Sequence, residues 1–359
     1  VAVHKMRIIS SLQSKLSAHN LDGILIYAPH NRKYVTKFTG TAGAVLIGES
    51  SAFLFTDFRY IAQAEAQVKD CKVVNHGGRL VDSIVEKAAA SGITRLGFEE
   101  NHFTYKQYIE LKTAFQDVEL IPIGHFVEDL RKIKLPEEIE CLQEAARIAD
   151  VAFNHIQSFI KPGLKEQEIA TELERVMKEQ GATSAGTPII VASGWRGALP
   201  HGVASEKTVE VNEMITMDFG AYYKDYHSDL TRTVSIGEPQ EKLVEIYNIV
   251  LEALERTVAA LAPGMPLKEA DALCRKFIRA EGYGDFFGHG AGHGLGLEIH
   301  EEPFLSPKSS GVLEEGMVIT VEPGIYLPEI GGVRIEDDLL LTKGGVKRLT
   351  TSERQLIRL

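Results

Sequence analysis

Met214-Ile215-Thr216-Met217-Asp218-Phe219-Gly220-Ala221-Tyr222 and Val318-Ile319-Thr320-Val321-Glu322-Pro323-Gly324-Ile325-Tyr326 are one pattern written twice. Each is an apolar run of strand character that ends in a carboxylate, with a glycine two residues later. The likeness extends upstream. Two helix-like segments precede each run: the first closes at Pro162-Gly163 or Pro263-Gly264, and the second begins near Leu164-Lys165-Glu166 or Leu267-Lys268-Glu269. The second segments end near Gly181 and Gly282. Downstream, each copy returns along another strand, His227 to Val234 in the first and Val333 to Leu339 in the second. Two helix–helix–hairpin units predict an α+β domain with a pseudo-twofold internal repeat, its halves packed to form one sheet. Two copies are too few for a solenoid.

The repeat puts Asp218 and Glu322 at matching strand ends. A single carboxylate at such a place most often caps a turn. Each return strand, however, brings another acid, Asp229 and Glu336. Residues two apart share a face of a strand, so Asp229 lies on one side with His227, Thr231 and Thr233, and Glu336 with Arg334. Hairpin pairing then sets Asp218 beside Asp229 and Glu322 beside Glu336, and the pseudo-twofold gathers both pairs. Four carboxylates at one buried point repel and raise one another's pKa unless cations neutralise them. Two divalent ions would balance the charge, and a water shared between them would be a nucleophile near neutral pH.

Gly288-His289-Gly290-Ala291-Gly292-His293-Gly294-Leu295-Gly296-Leu297-Glu298-Ile299-His300-Glu301 is the least ordinary stretch of the chain. Its glycines alternate with other residues, so His289 and His293 face one side of an extended segment. Glycine permits close backbone approach. Neither a GxGxxG register nor HExxH fits. His201, in Leu199-Pro200-His201-Gly202, carries no spacing signal of its own.

Residues 1–126 alternate strand-like and helix-like segments, which predicts an α/β domain with helices over a mixed sheet. Strands are expected at Leu21–Ala28, Ala44–Ile47, Ala52–Thr56, Thr94–Phe98 and Val118–Ile121. Helices are expected over Arg59–Lys69, Leu80–Ala90 and Tyr105–Phe115. Asp57 reads as the N-cap of the first of these. A boundary falls near Glu128–Pro136, giving domains 1–126 and 127–359. Pro136-Glu137-Glu138 is a helix start, and apolar residues three or four apart carry that helix to Ile160.

A chain of 359 residues with net charge −11 and no basic cluster argues against nucleic-acid partners. No apolar stretch approaches the roughly 18 residues of a membrane span. The start, Val1 to Met6, lacks a signal-peptide core. Three scattered cysteines without CxxC spacing point to a reducing compartment, the cytoplasm.

With these residues in place the chain resembles the pita-bread metallopeptidases, and most closely their proline-specific branch, the Xaa-Pro dipeptidases (prolidases) and aminopeptidases P. The likeness covers nearly the whole chain, because that branch also carries a creatinase-type α/β N-terminal domain. It implies that Asp218, Asp229, His293, Glu322 and Glu336 hold two divalent ions. Manganese is the expected metal, with cobalt or zinc as alternatives. Asp218 and Asp229 would hold one ion and His293 and Glu322 the other, with Asp229 and Glu336 bridging. The resemblance makes Glu322 the acid/base, His201 a contact near the reacting carbonyl, and His300 a stabiliser of the tetrahedral oxygen. His289 and Arg334 would shape the proline subsite, Arg334 through its bidentate fork. The implied substrates are Xaa-Pro dipeptides or short peptides with proline second. The compact N-terminal domain leans toward the dipeptidase, and aminopeptidase P stays open. A homodimer is implied. A non-catalytic binding module or a metal-free creatinase-like hydrolase would have lost the ligand set that is complete here. Methionine aminopeptidase leaves the N-terminal domain, His289 and Arg334 unexplained.

Overall fold

The structure, a computed structural model, describes residues 8–359, so the reading of Val1 to Met6 lies outside the described residues. The chain divides between Arg131 and Lys132 into two compact units.

In the first unit a six-stranded mixed sheet runs in the order Lys72–Asn75, Ala52–Thr56, Ala44–Gly48, Gly23–Ile26, Arg95–Phe98, Glu119–Pro122. The three strands from residues 23 to 56 are antiparallel neighbours, and the flanking pairs are parallel. Leu25, Leu46 and Phe55 from the sheet bury against Ile84 and Leu111 of the helices Leu80–Ala90 and Tyr105–Ala114. Full burial of each such side chain contributes about 1.5–3 kcal/mol. Asp57 does not cap the following helix, which starts at Ile61 with Tyr60 at its N-cap. Its carboxylate instead accepts the Arg59 N–H at 3.1 Å, closing a turn one step earlier.

The second unit carries the repeat. Helices Pro136–Phe159 and Glu166–Glu179 belong to the first half, and Glu241–Ala260 and Leu267–Ala280 to the second. Strand Met214–Phe219 buries Ile215, Met217 and Phe219 in one core with Phe153, Ile169 and Leu173 of the first helix pair. Strand Val318–Val321 buries Ile319 and Val321 in another, with Val250, Leu254 and Cys274 of the second pair. Because a strand alternates faces, helix packing on one side turns Thr216 and Asp218, and Thr320 and Glu322, to the other. The apolar half of each strand thus dictates where its carboxylate goes.

The strands form a three-stranded sheet, Leu230–Ser235, Met214–Phe219, Ile190–Ser193, and a five-stranded one, Glu301–Leu305, Gly292–Gly294, Val318–Val321, Asp337–Thr342, Gly345–Arg348. Two short hairpin ladders, Tyr222–Tyr223 with Tyr226–His227 and Gly324–Leu327 with Gly331–Arg334, extend them, so the expected single sheet is four. The ladder breaks where residues 228–229 and 335–336 leave strand geometry. A bond from Glu336 N–H to Thr231 O at 3.1 Å and a buried Arg232–Asp337 pair at 2.7 Å join the halves there. Register also refines the repeat. Asp218 lies opposite Thr231, and Val321 opposite Asp337. Glu336 is thereby the counterpart of Thr231, and Arg334 the counterpart of Asp229. The halves match in backbone and differ in which return-strand position carries the acid. No helix among the described residues is long and apolar enough to cross a membrane.

Candidate metal centre

Asp218, Asp229, His293, Glu322 and Glu336 meet at one cleft of about 690 Å³ in the second unit. His201, His289, His300 and Arg334 also line it, so every residue singled out from the sequence arrives at the same place. The donors form overlapping groups whose ligand atoms lie within 4.8 Å of one another. One is Asp218, Asp229 and Glu336; another is His293, Glu322 and Glu336; a third joins Asp229, His293 and His300. Asp229, His293 and Glu336 each belong to two of the three groups.

Four of the five donors are held from behind. His293 sits in the short strand Gly292–Gly294, where a Cβ on Gly292 would fall 2.0 Å from Thr320 O, so only glycine admits the backbone there. Its N–H donates to Thr320 Oγ1 at 3.1 Å, and its Nδ1 donates to Gly294 O at 3.0 Å. That leaves Nε2 as a free lone pair, 3.5 Å from Glu322 and 3.7 Å from Asp229. The Thr231 hydroxyl donates to Glu336 Oε2 at 2.6 Å, and the Asp338 carboxylate accepts the Asp229 N–H at 3.0 Å. Arg334 donates to Asp218 at 2.6 Å, to the Tyr326 oxygen at 2.9 Å and to Thr231 Oγ1 at 3.3 Å. Tyr326 in turn donates to His289 Nε2 at 2.8 Å, and His289 Nδ1 donates to Gly290 O at 2.8 Å. Arg334 is thus buried and tied to protein atoms on three sides.

The charges show what the cluster suits. Burial, followed by repulsion from Glu336, Asp218 and Asp338, pushes the Asp229 carboxyl well above the carboxylate range. Burial and then Glu336 do the same to Glu322. Burial and then Asp218 push Glu336 up to about 7. Burial, with His300 next, holds His293 down at about 4, and burial holds His289 at about 4. Glu336 Oε1 is buried with no hydrogen-bond partner among the described residues. Uncompensated acids beside neutral imidazole and an orphaned carboxylate oxygen fit divalent cations, and an oxygen-rich set with one nitrogen suits hard or borderline ions.

The partner residues Tyr326, Thr231, Thr320 and Asp338 carry no role in the sequence reading. Tyr326 closes the repeated motif, and Thr231 shares the acid-bearing face, so both had a faint signal. Asp338 shows its role only through contact with a residue 109 positions away.

Comparison with known proteins places this geometry. Residues 140–343 match Metallopeptidase family M24, and residues 8–133 match the Creatinase/Prolidase N-terminal domain. The structure of an Xaa-Pro dipeptidase from Bacillus anthracis is 52% identical and covers 98% of this chain and 99% of its own, with a TM-score of 0.96. An Xaa-Pro dipeptidase from Pyrococcus horikoshii is 41% identical over 95% of this chain and 96% of its own. The structure of an X-Pro aminopeptidase from Thermotoga maritima is 40% identical over 95% of this chain and 98% of its own, with a TM-score of 0.88.

Proposed function

The chain belongs to metallopeptidase family M24, with a creatinase/prolidase N-terminal domain, and on that premise we propose that it is an Xaa-Pro dipeptidase working with two divalent metal ions. The observation that carries the reading is the buried cluster of Asp218, Asp229, His293, Glu322 and Glu336, in overlapping donor groups that share Glu336. Two of the relatives named above, Xaa-Pro dipeptidases matched over nearly their full length, support the substrate class.

Asp218 and Asp229 would hold one ion, His293 and Glu322 the other, with Asp229 and Glu336 between them. Such ions, when bound, polarise a carbonyl oxygen and make water acidic enough to react near neutral pH. The protein supplies the rest. Glu322 takes a proton from the attacking water and returns it to the leaving proline nitrogen. His300 stands against the His293 ring, at 4.3 Å between centroids, and donates to the oxygen that gains charge in the tetrahedral intermediate. His201 contacts the substrate near the same carbonyl. His289 and Arg334, joined by Tyr326, form the proline side of the cleft.

Manganese suits the carboxylate-rich set, with cobalt and zinc as alternatives. We read the enzyme as a cytoplasmic homodimer. Its three cysteines are free thiols, which fits a reducing compartment, and the family likeness carries the dimer.

The test supplies manganese to chelator-stripped protein and follows release of the first residue from three peptides: an Xaa-Pro dipeptide, an Xaa-Pro tripeptide, and a matched dipeptide without proline. Metal-dependent cleavage of the Xaa-Pro dipeptide alone is the expected result. Preference for the tripeptide would move the assignment to an aminopeptidase P, the activity of the Thermotoga maritima relative. No cleavage with any of several divalent metals would overturn the peptidase reading.

A further inference from the structure

Glu166 is a buried acid that the reaction above does not use. It opens the helix Glu166–Glu179, and its side chain is 0% exposed. Its Oε1 accepts the Ser193 N–H at 2.7 Å and the Ser193 hydroxyl at 2.9 Å. Its Oε2 accepts the Ser205 N–H at 3.0 Å and the Ser205 hydroxyl at 2.6 Å, and the Arg196 guanidinium completes the shell. Ser193 ends the strand Ile190–Ser193, and Ser205 stands where the loop from that strand comes back. Between them lie Pro200, His201 and Val203 of the cleft wall. Arg196 reaches forward as well, donating to Val203 O at 2.9 Å. One carboxylate therefore ties both stems of the loop, and Arg196 adds a second tie to the returning stem at Val203, two residues after His201.

The loop itself is open to solvent, with Trp195 54%, Leu199 43% and Val203 47% exposed. Apolar packing is thus a weak source of order for the loop's tip. We propose that Glu166 is a positioning residue for the reaction, acting through His201 by fixing the loop that presents it. This rests on the reading of His201 as a substrate contact. An ionised acid suits the task because each of its oxygens accepts several bonds, and bonds to a charged acceptor are the stronger kind. Glutamine has the same shape, but its NH2 would face the Ser205 or Ser193 donors, so one stem would come loose. Displacement of a reacting contact by about 1 Å costs on the order of 10²-fold in rate.

Trp195 is the chain's single tryptophan, so its fluorescence reports on this loop alone. The experiment uses full-length, manganese-loaded protein: wild type, Glu166→Gln, His201→Ala and the double variant. Xaa-Pro dipeptide kinetics and time-resolved Trp195 anisotropy are read on each. Glu166→Gln is expected to lower kcat/KM about 10- to 100-fold, with unchanged far-UV circular dichroism and metal content and with faster local depolarisation of Trp195. In the His201→Ala background it should add less than about twofold, because the two act as one unit. A double variant that loses the product of the two single effects, or an unchanged anisotropy, would overturn the proposal. His201→Ala with wild-type kinetics would remove His201 from the reaction and this proposal with it. The peptidase reading would stand, since wild-type turnover tests it separately. Ser205→Ala removes one hydroxyl donor and leaves Glu166 paired with Arg196. It should give the same pattern at smaller size, and it replaces Glu166→Gln in the cycle should that variant not fold.

Discussion

Glu322 is both a ligand candidate of the centre and an acid that burial first and Glu336 next raise in the metal-free protein. Replacing it with glutamine keeps shape and removes charge, so we expect Glu322→Gln to lower kcat by about 10²–10⁴-fold with an unchanged circular dichroism spectrum. Near-normal turnover would take the acid/base role away from it. Arg334 gives a sharper comparison. Were it to read the proline carboxylate directly, Arg334→Ala would raise KM for a dipeptide more than for a tripeptide. Its bonds to Asp218, Tyr326 and Thr231 lead us to expect otherwise: kcat falls for both peptides in parallel, and the affinity for manganese falls with it. A KM effect confined to the dipeptide would restore the direct role. The difference between these expectations marks what one sequence discloses at this scale. Asp218 and Glu322 were legible because the repeat names them twice, and Asp229 and Glu336 because strand parity keeps them on one face. The partners of Arg334 were not, because Asp218 lies 116 positions away and only the packed halves bring the two together.

The elements that read most clearly are those whose apolar residues alone decide their placement. Met214–Phe219, Val318–Val321 and the helix Pro136–Phe159 fall where periodicity sets them, because every second or every third to fourth residue enters a core. Among the elements of the first unit that escaped the reading, two did so for the opposite reason. The helix Pro29–Thr36 buries Asn31 and Arg32 and so shows no apolar stripe, and Lys72–Asn75 is a short, part-exposed edge strand. The split into several sheets was hidden too, because the short hairpins part from the larger sheets where the ladder lets go at Asp229 and Glu336. One close contact between elements has a testable consequence. Strand Gly331–Arg334 passes so near the turn Gly194–Ala198 that a Cβ on Gly332 would sit 2.2 Å from Gly197 O. The oxygen it meets is backbone, so no side chain can turn away. Gly332→Ala should cost about 1–3 kcal/mol by overpacking, seen as a lower urea midpoint. It should also reduce kcat/KM, since the turn leads to His201 and the strand to Arg334. Wild-type stability and kinetics together would mean that the two elements separate freely.

For the molecule as a whole the centre is a source of strain that metal relieves. Without metal, Asp229 and Glu322 are raised well above the usual carboxylate range and Glu336 to about 7, by burial first and mutual repulsion second. In the unfolded chain all three return to ordinary values near 4. From about pH 4 to 7 the folded, metal-free protein therefore binds more protons than the unfolded chain, and the stability contributed by those protons is lost as pH rises. Metal binding runs the other way. Its ligands must be deprotonated, so affinity grows with pH, and each ion taken up releases protons. A metal present at a hundred times its Kd adds about 2.7 kcal/mol to stability. We expect calorimetric Tm values of stripped and manganese-loaded protein to lie close together near about pH 5 and to part steadily toward about pH 8. The loaded form should hold its Tm while the stripped form loses it. Proton release on manganese addition, followed in weakly buffered solution, should shrink over the same range, as fewer protons remain to be displaced. A gap in Tm that stays constant or narrows with rising pH would mean that these carboxylates do not hold the ions.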